Sequence, residues 1–403
     1  MHLLFINRFF YPDQSATARL LTDVAEEFAS KGWSITVITG RMAYLDARLI
    51  GPPEEVHKGV IVRRVWSTRY GRRSAIGRLA DYLTFYLSAA WETVRMKNVD
   101  CLLVLSDPPM LSFVAALLGP LKRWKTICWL QDMFPENAVS AGLLADGWIA
   151  RILTRTARWS HQAADHVIVV GRCMERRLLS AGLPQERITW ISNWADGESL
   201  APLSSDENWF RKDQGLDGRF VVMYSGNLGV VHDADSLLRV IRAMKDVAEI
   251  CFVFMIYGQG KGYLEEHGQR ERLRNLRFID YQTHQHLRYS LSAGDLHLVS
   301  LRADMEGFSV PSKVYGIMAV GRPVLFIGPK ESEAAMIVNE AGCGLVFPPL
   351  ESEQAAPAIR HLAGDAKRRE QLGAAGRRYF EATLDKQKAM ERFRTFFLEV
   401  NRE

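Results

Sequence analysis

Short apolar runs alternate with longer amphipathic stretches along almost the whole chain. Residues 2–6, 34–39, 60–66, 126–130, 167–170 and 188–192 read as strands, and 220–224, 275–279, 296–301, 324–327 and 345–347 continue the series. Most are near-continuous in Val, Ile, Leu and Phe, as strands buried on both faces of a parallel sheet are. Between them, residues 15–30 repeat apolar side chains at helical spacing (Leu20, Leu21, Val24, Ala25, Phe28) up to Gly32. Residues 74–96 do the same with Ile76, Leu79, Leu83, Tyr86 and Leu87, a face expected to be broad and apolar. Strand–helix alternation of this kind predicts an α/β protein. A polar stretch at 199–215 divides the series, which sets domains at 1–198 and 199–380 and leaves 381–403 as a terminal helix. No apolar run approaches the roughly 20 residues that span a bilayer.

One unit carries most of the chemistry. Residues 296–301 run into a polar loop, a helix starts near Ser312 and stops at Gly321, and Pro323 opens the next strand. Loops at the carboxyl ends of parallel strands are where open α/β sheets bind ligands. Glu306 suits sugar hydroxyls, and Gly307 lets the backbone come close, so the amides of Phe308, Ser309 and Val310 are expected to face an anion. Ser312 at the helix start and the point charge of Lys313 add to the attraction for phosphate.

The stretch Glu306-Gly307-Phe308, followed by a helix ending Met318-Ala319-Val320-Gly321-Arg322-Pro323, resembles the donor-binding segment of the retaining, family-4-like glycosyltransferases. The resemblance extends to Tyr11-Pro12 and Ser34-Ile35-Thr36-Val37 near the start, and to Asn193-Trp194-Ala195-Asp196 between the halves. It implies the GT-B fold: two Rossmann-like domains with parallel sheets facing a central cleft, the nucleotide-sugar held by the second and the last helix returning to the first. Gln131-Asp132-Met133-Phe134-Pro135-Glu136 is similar to members that act on lipid-linked sugars in bacterial surface-polysaccharide synthesis, such as those of O-antigen and colanic acid. Asp132 is then the acceptor-hydroxyl base or orienting group, and Glu306 positions the donor sugar. Three departures stand out. The family's second glutamate, which holds the ribose, is replaced by Gly316. Its glycine pair in the first loop is replaced by Gln14-Ser15-Ala16, and its Arg/Lys clamp in the loop after 220–224 is missing. Gln14, Ser15 and Thr17 are left to touch donor or acceptor, and Gly226, Asn227 and His232 to receive the diphosphate, with Gly258 opening a nucleobase-side loop through Lys261.

Charge narrows the partners. The excess of basic residues lies in the first half, and residues 60–125 hold 11 basic against 4 acidic side chains. Arg69, Arg72, Arg73 and Arg78 crowd a helix N-terminus, where cations are unfavourable, and Lys122, Arg123 and Lys125 follow beside Trp124. An anionic membrane surface is the expected partner, a solvated basic face the alternative; nucleic acid is not expected, because no recognition motif accompanies the charge. Five scattered cysteines without metal spacing read as reduced core residues. With no leader before the first strand, the expectation is a cytoplasmic enzyme at the inner face of the membrane that needs no metal or other cofactor. The resemblance implies transfer from a nucleoside-diphosphate sugar, UDP-linked, to a polyprenyl-diphosphate-linked saccharide. Two alternatives stay open: a soluble acceptor, and a catalytically silent nucleotide-sugar-binding subunit of a polysaccharide assembly.

Overall fold

The computed structural model describes residues 1–44, 48–71, 74–204 and 207–402. They form two compact units, Met1–Ile191 with Met390–Glu403, and Ser192–Ala389.

The first unit opens with β1 (His2–Ile6), α1 (Ala16–Ser30), β2 (Ser34–Gly40), β3 (Glu54–His57) and β4 (Val60–Val65). It continues through α2 (Ala75–Arg95), β5 (Cys101–Leu105), α3 (Leu111–Lys122), β6 (Lys125–Leu130) and α4 (Glu136–Ser140). It ends with α5 (Trp148–Ala163), β7 (His166–Val169), α6 (Arg172–Ser180) and β8 (Ile188–Trp190). The strands lie in the order β3-β4-β2-β1-β5-β6-β7-β8 and are parallel except for β3, which pairs antiparallel with β4. That edge strand, Glu-Glu-Val-His, is too polar to stand out in a hydropathy pattern. The central strands are buried throughout, as their unbroken apolar runs require.

In the second unit α7 (Trp209–Asp213) leads into β9 (Phe220–Asn227), α8 (Ala234–Ala243), β10 (Ile250–Tyr257), α9 (Gln259–Arg270) and β11 (Leu276–Phe278). Then come α10 (Leu287–Ser292), β12 (Leu296–Ser300), α11 (Lys313–Ala319), β13 (Val324–Ile327), α12 (Glu333–Ala341) and β14 (Gly344–Phe347). Two further helices, α13 (Ala355–Gly364) and α14 (Ala366–Thr383), cover its sheet, whose order β11-β10-β9-β12-β13-β14 is wholly parallel. In both sheets the order turns back beside the first strand, so the loops after β9 and β12, which are neighbours, converge at one edge.

The last helix, α15 (Lys386–Val400), packs its aromatic face on the first unit: Phe393 on Trp129 (centroids 4.9 Å apart), Phe396 on His166 (5.6 Å) and Phe397 on Phe28 (5.5 Å). All five cysteines are buried and none forms a disulfide among the described residues, and burial pushes the thiols of Cys101, Cys128 and Cys343 up to about 12. Among the described residues no helix is long and apolar enough to cross a membrane.

α2 shows its apolar stripe to solvent. Its buried face is Gly77, Asp81, Phe85, Ala89 and Thr93, at steps of four, and the apolar face expected from Ile76, Leu79, Leu83 and Leu87 points outward. Asp81 explains the choice. Its carboxylate accepts from Thr68 Oγ1 (2.7 Å) and from the amides of Tyr70 (3.1 Å) and Gly71 (2.9 Å), closing the loop ahead of the helix.

Candidate functional site

The loops after β9 and β12 meet at Lys313. β9 ends in Ser225-Gly226-Asn227, and Gly226 sits at φ 111° with an added Cβ only 3.2 Å from Lys313 Cε. A glycine there lets the lysine stem lie against bare backbone. Lys313 Nζ stands 3.0 Å from His232 Nε2 and 5.1 Å from the ring centroid of buried Tyr224. His232 Nδ1 is 2.7 Å from the Ser300 carbonyl. A carbonyl only accepts, so Nδ1 carries the proton and Nε2 offers its lone pair to the lysine.

The electrostatics are unusual. Burial pushes the Lys313 ammonium down to about 7 from 10.5. His232 is pushed down to about 3, first by burial, then by the neighbouring Lys313, with the Ser300 carbonyl opposing. At neutral pH the imidazole is therefore neutral and the lysine is poised between its two forms. Lys313 forms no ion pair with a carboxylate among the described residues. A half-buried lysine beside a neutral acceptor and a π face lacks its counter-charge, and an anion supplies one.

The Glu306 loop is built differently from expectation. After β12, the Arg302 guanidinium binds both carboxylate oxygens of Asp304 (3.1 and 2.7 Å) and the Val230 carbonyl (3.3 Å), and its amide donates to Val231 (3.0 Å). This stitches the β12 loop to the β9 loop. The amides of Phe308 and Ser309 donate to the Met305 carbonyl (3.1 and 3.4 Å), so they close a turn rather than face an anion. Val310 is buried. Ser312 precedes α11 in a helical conformation, is exposed and makes no side-chain cap, and α11 is only seven residues long. The charge of Lys313, more than a helix dipole, is what this loop offers. Glu306 stands half-buried just before Gly307, which has φ 75°.

Gly258 serves packing. It lies at φ 100°, and a Cβ would fall 2.4 Å from Asn227 Oδ1 and 3.0 Å from the Leu228 carbonyl. The expected loop at Gly258–Lys261 is in fact the first turn of α9, locked by the Gly260 amide on Leu228 (2.9 Å).

Comparison with known proteins identifies the family. Residues 15–194 match the family described as glycosyl transferase 4-like domain, and residues 205–379 match glycosyl transferases group 1. The chain belongs to the two-domain glycosyltransferases. Among curated proteins it is 29% identical over 272 residues to the probable glycosyltransferase WbjE of Pseudomonas aeruginosa, covering 67% of this chain and 68% of that one. It is 27% identical over 285 residues to the putative colanic acid biosynthesis glycosyl transferase WcaI of Escherichia coli, covering 69% and 68%. HepE from Anabaena, solved in complex with UDP, superposes with a TM-score of 0.75 at 16% identity over 99% of this chain and 100% of that chain. Sucrose-phosphate synthase from Thermosynechococcus elongatus gives 0.77 at 14% identity over 99% of each. The fold is GT-B.

In this glycosyltransferase the position of the family's ribose glutamate, Gly316, has apolar surroundings: an added Cβ would lie 3.4 Å from Leu291 and 3.8 Å from Leu200. A carboxylate there would be desolvated by leucines. In the first unit, Asp132 follows β6, where Ser106 Oγ receives the amides of Gln131 (3.1 Å) and Asp132 (3.4 Å). Asp132 lines a small cavity with Ser106, Phe134 and His161, whose imidazole burial pushes down to about 4. In the loop before α1, Gln14 is exposed, Thr17 half-buried, and the Ser15 hydroxyl is buried without capping the helix. Two residues missed in sequence hold this loop. Asp13 accepts from the amides of Ser15 (2.8 Å) and Tyr44 (2.6 Å), and the fully buried Arg64 donates to Tyr11 O (2.8 Å) and pairs with Glu55 (2.6 Å). The Asp-x-Ser pattern before a helix was the available signal for the first; nothing local announced the second.

The basic candidates separate. Arg69, Arg78 and Arg123 are exposed and Lys125 is half-buried at the start of β6. Lys122 is tied to the carbonyls of Val94 and Met96 (3.3 Å to the latter), so it anchors the end of α2. Arg72 and Arg73 lie outside the described residues.

Proposed function

We propose that this chain is a retaining, metal-independent glycosyltransferase of bacterial polysaccharide synthesis that moves a sugar from a UDP-sugar to a hydroxyl of a polyprenyl-diphosphate-linked saccharide. The observation that carries the donor assignment is Lys313, a half-buried lysine that pairs with no carboxylate among the described residues, set against Gly226 and His232. Its bond to a phosphate oxygen contributes roughly 1.5–3 kcal/mol, and more of the Lys313 charge is expressed as the leaving diphosphate gains negative charge. Glu306 orients the hydroxyls of the transferred sugar. The bond from the anomeric carbon to the diphosphate oxygen breaks and a bond to the acceptor oxygen forms on the same face; the acceptor proton passes to the departing phosphate. Asp132 orients the acceptor hydroxyl.

Relatives support the reading. WcaI is named for colanic acid biosynthesis, and HepE was solved with UDP and with UDP-glucose. The test is calorimetric titration of UDP and GDP into wild type and Lys313→Ala, followed by a screen for sugar-dependent UDP release with and without EDTA. UDP binding weakened about tenfold or more by the substitution is expected, since one lost charge-assisted bond is worth that much. GDP in its place overturns the base, and binding without turnover on any lipid-linked acceptor favours a catalytically silent subunit.

A further inference from the structure

Single exposed apolar side chains are ordinary; contiguous stripes on neighbouring helices are not. On α2 the outward residues include Ile76, Leu83, Leu87 and Trp91, which are 83%, 52%, 72% and 67% exposed. On α3, Phe113, Leu117 and Leu121 recur at steps of four on the outer side, with Leu121 77% exposed. On α5, Trp148, Ile152 and Trp159 are exposed in turn. α3 packs against both α2 and α5, and the rings of Phe113 and Trp159 lie 5.7 Å apart, so the stripes form one layer.

The charge of this layer has one sign. Arg78, Arg95, Arg151, Arg155 and Arg158 are exposed along the three helices. The helices hold only two acidic residues, Asp81, which is buried, and Glu92, which is paired with Arg63. Leucine, isoleucine and tryptophan beside arginine, without exposed acid, is the surface of a helix that lies in the headgroup region of an anionic bilayer.

We infer that the outer face of α2, α3 and α5 inserts into the interface of an anionic lipid bilayer. Apolar side chains enter the acyl boundary while the arginines stay with the headgroups, and no helix crosses. A second copy of the chain fits this face poorly, because a two-fold contact would bring arginine against arginine. The inference deepens the acceptor reading, since a polyprenyl-linked saccharide is presented at such a surface, but it stands on exposure and charge alone. It also moves the anchor from Lys122 to the arginines of α5.

Flotation of the full chain with vesicles of phosphatidylglycerol and phosphatidylcholine, free of any glycolipid acceptor, tests it apart from the transferase reading. Wild type should float with anionic vesicles. Leu83→Glu with Leu87→Glu, and separately Arg151→Gln with Arg155→Gln and Arg158→Gln, should each lower the bound fraction about tenfold. UDP affinity should be unchanged in both, which shows that the variants are folded. Brominated acyl chains should quench tryptophan emission, less so in Trp91→Phe with Trp148→Phe. A wild type that does not float, or a Leu83/Leu87 variant that floats as well as wild type, overturns the inference. So does a concentration-dependent dimer in sedimentation that the same leucine variant dissolves while vesicles capture nothing.

Discussion

Binding of a diphosphate at Lys313 should draw a proton from solution. In the empty site burial holds the ammonium down to about 7 from the ordinary 10.5. A diphosphate within reach reverses the balance, because the ion pair forms where little water screens it, and the lysine returns towards its ordinary range. At pH 8 about 0.9 of the empty sites hold a neutral lysine and at pH 7 about half, so those are the protons taken up per UDP bound. His232, pushed down to about 3, contributes none. Above pH 7 the affinity should fall by nearly tenfold per unit, until the pH reaches the value that Lys313 takes in the complex. Calorimetry in HEPES and in Tris, whose ionisation enthalpies differ, counts the protons. The range above pH 7.5 keeps the terminal phosphate of UDP, with a second pKa of about 6, fully ionised. Lys313→Arg, which does not deprotonate, should bind UDP without uptake and with a flat pH profile. Uptake near zero at pH 8 in wild type refutes the assignment of the proton to Lys313. Equal uptake in Lys313→Arg would hand the proton to His232 and refute it as well.

Gly258→Ala should destabilise the second unit by roughly 2–4 kcal/mol, because it combines a glycine-only backbone with a Cβ 2.4 Å from Asn227 Oδ1; an unchanged urea midpoint would contradict this. Acid should weaken the fold through His161 and His297, both buried and pushed down to about 4 from 6.5. The unfolded chain binds the protons first, so stability is lost as pH falls through 6.5 towards 4, about 2 kcal/mol per histidine between pH 7 and 5. His161→Leu should remove its share of that slope in urea titrations.

Much of the architecture is legible in the chain because parallel strands buried on both faces must be continuous apolar runs, and Phe220–Tyr224 or Leu296–Ser300 can hardly be anything else. Lys313 is legible for a related reason: its place follows from the strand that precedes it and the helix it begins. Its environment is not. The partner His232 is 81 residues away, and only the pairing of β9 with β12 brings the two together. The role of the Phe308 and Ser309 amides is not legible, because a glycine turn open to an anion and one closed on its own Met305 carbonyl share the same sequence. Arg64 shows the same limit, since two consecutive arginines on a strand look solvated until a loop wraps one of them.

The exposed stripe of α2 needs a different account. Hydropathy ranks its two faces correctly, and the apolar one is not the one that packs on the sheet. A helix that buries Gly77, Asp81, Phe85, Ala89 and Thr93 while showing Ile76, Leu83, Leu87 and Trp91 forgoes apolar burial that its own sequence could supply. Small residues let the helix sit close to the sheet, and Asp81 is satisfied by Thr68, Tyr70 and Gly71, so the inward face is stable as built. The outward face has no such account within the fold. Leu83 and Leu87, 52% and 72% exposed, leave unrealised only a share of the roughly 1.5–3 kcal/mol that full burial brings, and a contact beyond the chain would recover it. On the bilayer inference, the amphipathic pattern of α2 describes the environment on the outer side of the helix.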